Sequence, residues 1–495
     1  MTNADVTGPP GEDDAARQEE PADKPADASS KLPEMLARMQ KAQRAAGPPT
    51  YEQRARHLER LSQALLRKKH VLADAISRDF GHRSKHESFL AEIFVAVEGI
   101  GHTKAHLREW MEPSEREVGW AFAPARAEVL MQPLGVVGVI SPWNYPVLLA
   151  VSPLTGALAA GNRVLIKPSE LVPETSEAIR DLVAETFDPD HVAVVTGGPD
   201  VGMAFSSLTL DHLVFTGSTR VGKAVMRAAA EHLTPVTLEL GGKSPALVGE
   251  ECSLRLAAKT IAQGKFFNAG QTCIAPDYAL VPAGMKDSFV AEMKAAIGRM
   301  YPTLAQNPDY TSVVSDAHYA RLTAAVADAK EKGATIIEVN PGNETLEPSA
   351  RKLAPTLVVD ATDDMLLMQE EIFGPILPVR TYKAFDEAID YVNDHPRPLA
   401  LYYFGANDDR IQQTLRHTIS GGVCVNATML HAAQDDLPFG GVGPSGMGHY
   451  HAREGFEALS KKKPVFYQSR LNASGLLAPP FGKLLDNFLR VLLGK

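Results

Sequence analysis

The N-terminal part of the chain has the hydrophobic pattern of amphipathic helices. From Leu32 to about Trp110, apolar residues recur at spacings of three and four, as in HLERLSQALLRKKHVLADAISRDF and SFLAEIFVAVEGIGHTKAHLREW. This period places the apolar side chains along one face of a helix. The pattern therefore predicts a group of packed helices that begins near residue 31 and ends near residue 115.

After residue 115 the pattern changes from helices to strands. The run AEVLMQPLGV follows a proline-containing turn, which predicts a projecting hairpin over residues 116–132. Short apolar strands such as VVGVISPW, RVLIKPS and PVTLELGG then alternate with amphipathic helices. Such alternation is typical of βαβ units and of a parallel sheet covered on both faces. We therefore expect an α/β domain built from residues 31–115 and 133–240.

A second alternating series begins near Ser253. Its candidate strands are ALVP, TIIEV, PTLVVD, ILPVRTY and LALYYFG, with amphipathic helices between them. A chain of 495 residues is too long for one compact core. The series predicts a second α/β domain over residues 241–435, and we expect residues 436–470 to return to the first domain or to an interface.

The first thirty residues have the composition of a disordered tail. The stretch GEDDAARQEEPADKPADASS is acidic, rich in proline and alanine, and nearly free of large apolar side chains. It lacks the apolar run of a secretory signal and is too acidic for a transit peptide. Together with the sparse cysteines of the chain, this composition predicts a tail over residues 1–30 and a cytoplasmic protein.

The C-terminal segment, residues 471–495, predicts an amphipathic helix. The apolar residues of PPFGKLLDNFLRVLLGK fall on one helical face: Phe481, Leu484, Leu485, Phe488, Leu489 and Leu492. The helix is too short to span a bilayer, which needs roughly 20 apolar residues. It could anchor at a membrane surface, pack on its own domain or contact a partner subunit. Because its polar face carries few basic residues, packing or subunit contact is favoured over the membrane.

Charge and cysteine content exclude several classes of function. The formal net charge is -10 and no basic stripe is evident, which argues against a nucleic-acid partner. The three cysteines, Cys252, Cys273 and Cys424, lack C-x-x-C spacing, so we expect neither a disulfide framework nor a metal site. Most free cysteines are buried and inert. For Cys273, in FFNAGQTCIAP, to be a nucleophile, the chain must also supply a base, an oxyanion donor and an electron acceptor.

One segment has the arrangement of a dinucleotide-binding turn. In HLVFTGSTRVGKAV, a strand is followed by Gly217, Ser218 and Gly222 and then by a helix, whose N-terminal N–H groups could bind a pyrophosphate. Only two glycines match the usual G-x-G-x-x-G pattern, so this signal is weak alone. The literal pattern at 441–446 is rejected as the fingerprint, because LPFG before it is no convincing strand and Pro444 interrupts it.

A second segment also favours a nucleotide. RVLIKPSE ends a strand with Lys167, Ser169 and Glu170, and a lysine and a glutamate there can hydrogen-bond ribose hydroxyls. Glu170 would repel a 2′-phosphate, which favours NAD over NADP. Lys167 could attract that phosphate, so NADP stays an alternative. A surface ion pair explains this segment equally well.

Two polar residues stand at the ends of apolar strands. Glu239 lies inside the strand of PVTLELGGKSP, where burial would raise the pKa of its carboxyl group and suit it as a general base. A structural salt bridge is the alternative. Asn144 lies between aromatic residues in SPWNYP and could donate its amide to an oxyanion. A turn-forming asparagine is the alternative there.

The motifs taken together resemble a known superfamily. SPWNYP, KPSE, FTGSTRVG, LELGGKSP, GQTCIAP, EEIFGP and LPFGGVGPSG occur in the order and at the approximate spacing of the NAD(P)-dependent aldehyde dehydrogenases, over about residues 32 to 470. The wording of TCIAPDY and LPFGGVGPSGMGHYH is similar to the class 3 group and, within it, to coniferyl aldehyde dehydrogenases. The resemblance implies a Rossmann-like cofactor domain, an α/β catalytic domain and a small bridging hairpin.

The resemblance also implies roles for individual residues. Cys273 would be the nucleophile, Asn144 and the Cys273 backbone N–H the oxyanion hole, and Glu239 the base that activates water. The residues implied in binding NAD or NADP are Trp143, Lys167, Ser169, Glu170, Gly217, Ser218, Gly222, Glu371 and Phe373. The expected partners are an aldehyde substrate and a second copy of the chain in a homodimer.

The implied reaction is oxidation of an aldehyde to a carboxylic acid through a thiohemiacetal and a thioester. The aldehyde would be aromatic, such as coniferyl aldehyde, or medium-chain aliphatic. One alternative is an acylating relative that passes the thioester to coenzyme A, which does not need the Glu239 base. Another is a binding or structural protein that kept the fold without turnover. A cysteine hydrolase is less favoured, because no histidine stands in a matching arrangement.

Overall fold

The computed structural model describes residues 26–472, 475 and 478–494. Its helices in chain order are α1 (Ala26–Ala46), α2 (Tyr51–Asp79), α3 (Lys85–Ser88), α4 (Val95–Met111), α5 (Leu148–Ala160), α6 (Pro173–Thr186), α7 (Pro199–Ser206), α8 (Thr219–Ala230), α9 (Leu254–Phe266), α10 (Lys286–Met300), α11 (Asp316–Glu331), α12 (Leu366–Gln369), α13 (Phe385–Asn393), α14 (Asp408–His417), α15 (Ala452–Ala458) and α16 (Lys483–Leu492). A π-helical turn, Phe89–Phe94, joins α3 to α4.

The strands form three sheets. In chain order they are β1 (Ser114–Arg116), β2 (Arg126–Pro133), β3 (Val136–Ile140), β4 (Arg163–Lys167), β5 (Val192–Val194), β6 (His212–Gly217), β7 (Val236–Leu240), β8 (Pro245–Val248), β9 (Tyr278–Pro282), β10 (Thr335–Glu338), β11 (Thr356–Val359), β12 (Ile376–Tyr382), β13 (Ala400–Phe404), β14 (Gly422–Val425), β15 (Gly446–Met447) and β16 (Ser460–Tyr467). The predicted α/β class is confirmed, with the predicted N-terminal helices packed beside the first sheet.

The first sheet has the order β15-β7-β6-β3-β4-β5. Strands β3 to β7 are parallel, and only the short β15 runs antiparallel. From the central β3 the chain adds β4 and β5 on one side and then β6 and β7 on the other. The carboxyl ends of β3 and β6 therefore border the point at which the strand order reverses, where open α/β sheets bind ligands.

The second sheet has the order β10-β11-β12-β9-β8-β13-β14. It is parallel except for β10, which pairs antiparallel with β11 at one edge. Its central strands, such as TLVV in β11 and ALYYF in β13, are buried along their whole length. Continuous apolar runs of this kind are what a sheet covered on both faces requires. The second predicted series of strands therefore forms a second, mostly parallel sheet.

A third, small antiparallel sheet has the order β1-β2-β16. Its first two strands correspond to the predicted hairpin, although β1 already begins at Ser114. Strand β16 pairs with all of β2, from Ser460 opposite Pro133 to Tyr467 opposite Arg126. The segment predicted to return to the first domain therefore also completes this sheet. Its run of three exposed lysines and a proline protects an edge strand from further pairing.

The two ends of the chain differ from expectation in detail. Helix α1 begins at Ala26, inside the predicted tail, while residues 1–25 lie outside the described part of the chain. Helix α16 forms where a terminal helix was predicted, but none of its residues is buried. Its Phe488 ring lies 6.0 Å from that of Trp120, beside the small sheet. No helix in the described residues is long and apolar enough to cross a membrane.

Candidate active site

Cys273 lies in a constrained loop between the two large sheets. The loop follows α9 through a short 3-10 turn, Phe267–Gly270, in which Asn268 and Ala269 both have a φ of 50°. Non-glycine residues rarely adopt this left-handed conformation, and such strain persists only where the surroundings enforce it. Gln271 provides part of that support, since its side chain donates to Ser312 O at 3.0 Å and accepts from Val314 N at 2.9 Å.

The Cys273 thiol is half-buried and faces two carboxyl groups. Burial, reinforced by the nearby Glu371 and Glu239, raises the pKa of the Cys273 thiol to about 12, against a smaller opposing effect of backbone N–H groups. Burial also raises the pKa values of Cys252, to about 11, and of Cys424. The pKa therefore does not single out Cys273; its position at the cavity described next does.

A cavity of about 300 Å³ begins at the Cys273 thiol. Its walls come from the π-helical turn, the start of α5, the loop that carries Cys273 and residues 428–433. Most of the lining is apolar and includes Leu90, Leu148, Phe267, Met429, Leu430 and Phe439. Glu239, Thr216 and Thr272 supply polar groups. A largely apolar cavity with a few converging polar groups is typical of a small-molecule site.

Glu239 lies in β7, opposite Gly446 of β15, and is 3% exposed. Neither of its carboxylate oxygens has a hydrogen-bond partner among the described residues. Burial alone raises the pKa of Glu239 well above its ordinary value. The described residues thus give it no salt bridge, and burial favours the neutral form of the carboxyl group in the cavity that Cys273 also lines.

Asn144 follows β3 and brings an amide group to the nucleophile loop. It is buried, and its side-chain Nδ2 donates to the backbone carbonyl of Gln271 at 3.2 Å. An amide nitrogen carries two hydrogens, so one donor remains for another acceptor. The neighbouring Tyr145 hydroxyl shares a hydrogen bond of 2.6 Å with the Thr272 hydroxyl. The loop after β3 is therefore tied directly to the residues that precede Cys273.

The two predicted ribose-contacting residues, Lys167 and Glu170, and the predicted cofactor-binding Ser169 lie at the carboxyl end of β4. Lys167 is buried, and its Nζ forms an ion pair of 2.7 Å with Oε2 of the exposed Glu170. Ser169 between them is buried, and its carbonyl accepts a hydrogen bond from Ser176. Strand β4 is adjacent to β3, so this group lies along the same sheet edge as Asn144.

The turn after β6 has the features of a pyrophosphate site. Gly217 ends the strand, and Ser218 is the N-cap of α8, where its hydroxyl accepts from Val221 N at 3.4 Å. At Gly222 an added Cβ would lie 2.6 Å from the Leu240 side chain, so α8 packs closely against β7 here. The arrangement leaves N–H groups of the α8 N-terminus directed at the sheet edge and fits a bound dinucleotide.

Three further predicted residues meet on the other side of Cys273. Burial, reinforced by Asp277, raises the pKa of Glu371 to about 8. Phe373 has a φ of 52°, and its ring lies 5.3 Å from that of Trp143 in an edge-to-face arrangement. The rejected glycine-rich segment, 441–446, packs instead against β7, because β15 begins at its last residue. The structure therefore brings Cys273 and Glu239 together at one cavity and places Lys167 and Gly217 at the carboxyl ends of two strands of the first sheet.

Sequence reasoning missed several charged residues that the structure buries. They are Arg83, Glu87, Glu92 and Lys265. The signal was present, since Glu92 is an isolated carboxylate in the apolar run SFLAEIFVAV and Lys265 precedes two phenylalanines. Isolated charges in apolar helical stretches are seldom buried without a specific partner.

Comparisons with known proteins support the same conclusion. A model of the aldehyde dehydrogenase family matches residues 13–465. A protein of Pseudomonas aeruginosa named "Probable coniferyl aldehyde dehydrogenase" is 51% identical over 460 residues, which cover 93% of this chain and 96% of that protein. The mouse "Aldehyde dehydrogenase family 3 member B3" is 37% identical and covers 93% of this chain and 95% of its own. Its family number agrees with the predicted class 3 resemblance.

A solved structure shows the same architecture. The substrate-bound aldehyde dehydrogenase AldH of Staphylococcus aureus superposes with a TM-score of 0.88 at 35% identity, covering 93% of this chain and 99% of that one. The predicted fold, with its cofactor domain, catalytic domain and small bridging sheet, is confirmed. The chain belongs to the aldehyde dehydrogenase family and is an oxidoreductase that converts an aldehyde to the carboxylic acid with NAD or NADP.

Proposed function

We propose that Cys273 is the nucleophile and Glu239 the base of this reaction, and that the enzyme uses NAD to oxidise aldehydes with an apolar body. One observation carries the proposal: the Cys273 thiol and the unpaired Glu239 carboxyl group line the same apolar cavity. A nucleophile and a base that line one largely apolar cavity are what covalent oxidation of an aldehyde requires.

The first step is attack on the aldehyde carbon by the Cys273 thiolate, which forms when the thiol loses its proton to solvent. The resulting thiohemiacetal carries negative charge on oxygen. The free N–H of the Asn144 amide and the backbone N–H of Cys273 donate hydrogen bonds to this oxygen. Each preorganised donor of this kind lowers such a barrier by about 3 kcal/mol. The Gln271 carbonyl, which accepts from Asn144 Nδ2, keeps the amide oriented before substrate arrives.

When bound, NAD supplies the acceptor for the hydride that leaves the thiohemiacetal carbon, and a thioester then remains on Cys273. The next step is hydrolysis of this thioester. Glu239, once ionised, removes a proton from water, and the resulting hydroxide attacks the thioester to release the carboxylic acid. The apolar surroundings that raise the pKa of Glu239 also make its carboxylate a stronger base. This role separates hydrolysis from transfer to coenzyme A.

The cofactor would be held by two groups of side chains along the edge of the first sheet. Lys167, Ser169 and Glu170 would meet the adenosine ribose. Ser218 and the N-terminus of α8 would meet the pyrophosphate, with Gly217 and Gly222 permitting close approach. Glu371 and Phe373, with Trp143 beside them, would border the nicotinamide ribose. Glu170 is exposed at this edge and bears a negative charge, which favours NAD over NADP.

The apolar lining of the cavity favours an aromatic or medium-chain aliphatic aldehyde. The Pseudomonas aeruginosa relative is named for coniferyl aldehyde, and we propose an aryl aldehyde of this kind as the substrate class. The three cysteines are free thiols, which fits a cytoplasmic location.

We further propose a homodimer. Large apolar side chains are exposed along α16 and the small sheet, including Trp120 at 69%, Leu484 at 75% and Val491 at 81%. A contiguous exposed apolar surface marks an interaction site. A second copy of the chain would cover it, and the membrane surface is the less favoured occupant.

Replacement of the two cavity residues tests the proposed roles. The wild-type enzyme is expected to reduce NAD with coniferyl aldehyde or octanal, and Cys273→Ala to lose this activity while still binding NAD. Glu239→Gln is expected to give one equivalent of reduced cofactor and then stall, because hydride transfer precedes hydrolysis. Stopped-flow absorbance measures both phases. Turnover in Cys273→Ala, or wild-type steady-state rates in Glu239→Gln, would contradict these assignments.

The protonation of Glu239 predicts a pH dependence of stability. Folding raises the pKa of Glu239, so the folded state holds a proton that the unfolded state has lost above its pKa of 4.5. Stability therefore falls by about 1.4 kcal/mol per pH unit as pH rises from about 4.5 towards the folded-state pKa. Thermal melts of wild type and Glu239→Gln from about pH 5 to about pH 8 should diverge in favour of the variant. Parallel curves would show that the carboxyl group is already ionised.

The charge of Glu170 predicts a measurable cofactor preference. Removing the carboxylate in Glu170→Ala should lower the preference for NAD over NADP, measured as the ratio of kcat/KM values, by about tenfold. Glu177→Ala is the matched control, since this glutamate also lies at the surface and pairs with Arg180 on α6. An unchanged ratio in Glu170→Ala would place the 2′-hydroxyl away from this residue.

The oligomeric state can be measured by light scattering. We expect the mass of two chains for the wild type and of one chain for Val491→Asp, because a buried carboxylate at a subunit contact is unfavourable. Met203→Asp, at a residue similarly exposed on α7, is the control and should stay dimeric. A wild-type mass of one chain would contradict the homodimer.

A further inference from the structure

Arg83, between α2 and α3, has a fully buried side chain next to the turn that carries Asn144. Its Nη1 donates to Glu92 Oε1 at 2.7 Å and to the backbone carbonyl of Asn144 at 2.9 Å. The guanidinium carbon also lies 4.8 Å from the centre of the Tyr145 ring and 5.2 Å from that of Phe80. One arginine therefore contacts both Asn144 and the residue that follows it.

Glu92 extends this contact to the start of α5. Its Oε2 accepts hydrogen bonds from Val147 N at 2.8 Å and from Leu148 N at 3.1 Å, where a helix N-terminus leaves donors unsatisfied. The Arg83–Glu92 pair thus holds the backbone within the SPWNYP turn, at Asn144, and directly after it, at Val147 and Leu148. The partial positive charge of the helix N-terminus also favours a carboxylate at this position.

The local geometry of Glu92 depends on the π-helical turn. The π turn, Phe89–Phe94, contains one extra residue relative to an α-helical turn, and such turns occur frequently at functional sites. Within it, Leu90 and Ala91 line the substrate cavity, while Glu92 is fully buried against Arg83. The same turn therefore forms a wall of the cavity and supplies the carboxylate that fixes the turn carrying Asn144.

A second carboxylate, that of Glu87, connects the N-terminal helical region to the loop that carries Cys273. Glu87 accepts hydrogen bonds from Asn268 N at 3.1 Å and from the Thr311 hydroxyl at 2.7 Å. The Asn268 side chain in turn donates to the backbone carbonyl of Asn144 at 3.1 Å. The carbonyl that Arg83 contacts therefore also receives a bond from the strained loop before Cys273.

We propose that Arg83, with Glu92, is a positioning residue for the acylation step: it fixes the Asn144 amide relative to the Cys273 sulfur. This inference rests on the proposed roles of Asn144 and Cys273. A contribution to folding stability alone does not explain the buried Arg83–Glu92 ion pair. Arg83 Nε and Nη2 have no hydrogen-bond partner among the described residues, and a buried ion pair is often replaceable by apolar side chains. The geometry at the Asn144 carbonyl is what an apolar replacement would lose.

The test compares the wild type with a charge-neutral double variant, Arg83→Met with Glu92→Gln, which leaves no uncompensated buried charge. The pre-steady-state burst of reduced cofactor with a saturating aldehyde measures acylation and hydride transfer. We expect the burst rate to fall by about 100-fold, because a small misplacement of a reacting group can lower the rate of its reaction by this factor. NAD affinity, and the rate at which iodoacetamide alkylates Cys273, should stay within about twofold, because alkylation forms no oxyanion.

A cycle with Asn144→Ala separates positioning from a purely structural role. If Arg83 acts through Asn144, adding the Arg83 and Glu92 changes to Asn144→Ala should lower the burst rate little further. The effects of the two sets of changes should therefore not be additive. Arg83→Lys should fold more readily than the double variant, and its burst rate should be about tenfold higher than that of the double variant. Lysine keeps a charged hydrogen-bond donor but lacks the planar guanidinium group. Additive effects, or an alkylation rate that falls with the burst, would contradict the proposal.

Arg54→Met is the matched control. Arg54 is also a buried arginine, and it donates to the carbonyls of Ala159 at 2.9 Å and Pro49 at 3.1 Å, at the far end of α5. Its replacement should lower the melting temperature and leave the burst rate unchanged. A wild type without any burst would contradict the proposed function itself, whereas a wild-type burst retained in the folded double variant would contradict only the positioning role.

Discussion

Desolvation of the ionisable groups around Cys273 is the constraint on which the rest of the site depends. Burial raises the pKa values of Cys273, Glu239 and Glu371 together, and the carboxyl groups act on the thiol in the same direction. At neutral pH Cys273 is therefore a thiol at rest, and burial disfavours the ionised form of Glu239. The thiolate forms only when positive charge or hydrogen-bond donors near the sulfur offset this cost.

Such a site needs a rigid support, because its reacting groups come from separate parts of the chain. Cys273 follows α9, Asn144 follows β3 and Glu239 lies in β7. The backbone before Cys273 is strained at Asn268 and Ala269 and cannot hold itself in place. Hydrogen bonds from the N-terminal helical region and from the loop after β3 hold it instead. The N-terminal helices, which carry none of the predicted site residues, thus act on the geometry of the reacting groups.

The sequence predicted the elements whose pattern is local and missed those that depend on distant partners. The strand–turn–helix around Ser218 and the strand that ends at Lys167 were recognisable because each motif is continuous in the chain. The sequence did not predict β16 as a strand, because its run of lysines is typical of an exposed loop. Its pairing with β2 exists only in the folded chain. Arg83 gave no signal for the same reason. Its partners, Glu92 and the Asn144 carbonyl, meet only in the folded molecule.

The shortest link between the two large sheets explains why substrate and cofactor sites meet at Cys273. The chain passes from β7 to β8 through Gly241 and Gly242. An added Cβ at Gly241 would overlap the Glu371 carboxyl group, and one at Gly242 would lie 3.3 Å from Leu399 N. The two glycines let the backbone cross between the sheets with Glu371 directly against it. Because Glu239 lies one residue before the end of β7, close to this crossing, it and Glu371 both raise the pKa of the Cys273 thiol. Any side chain at Gly241 would displace Glu371 from its place against the crossing.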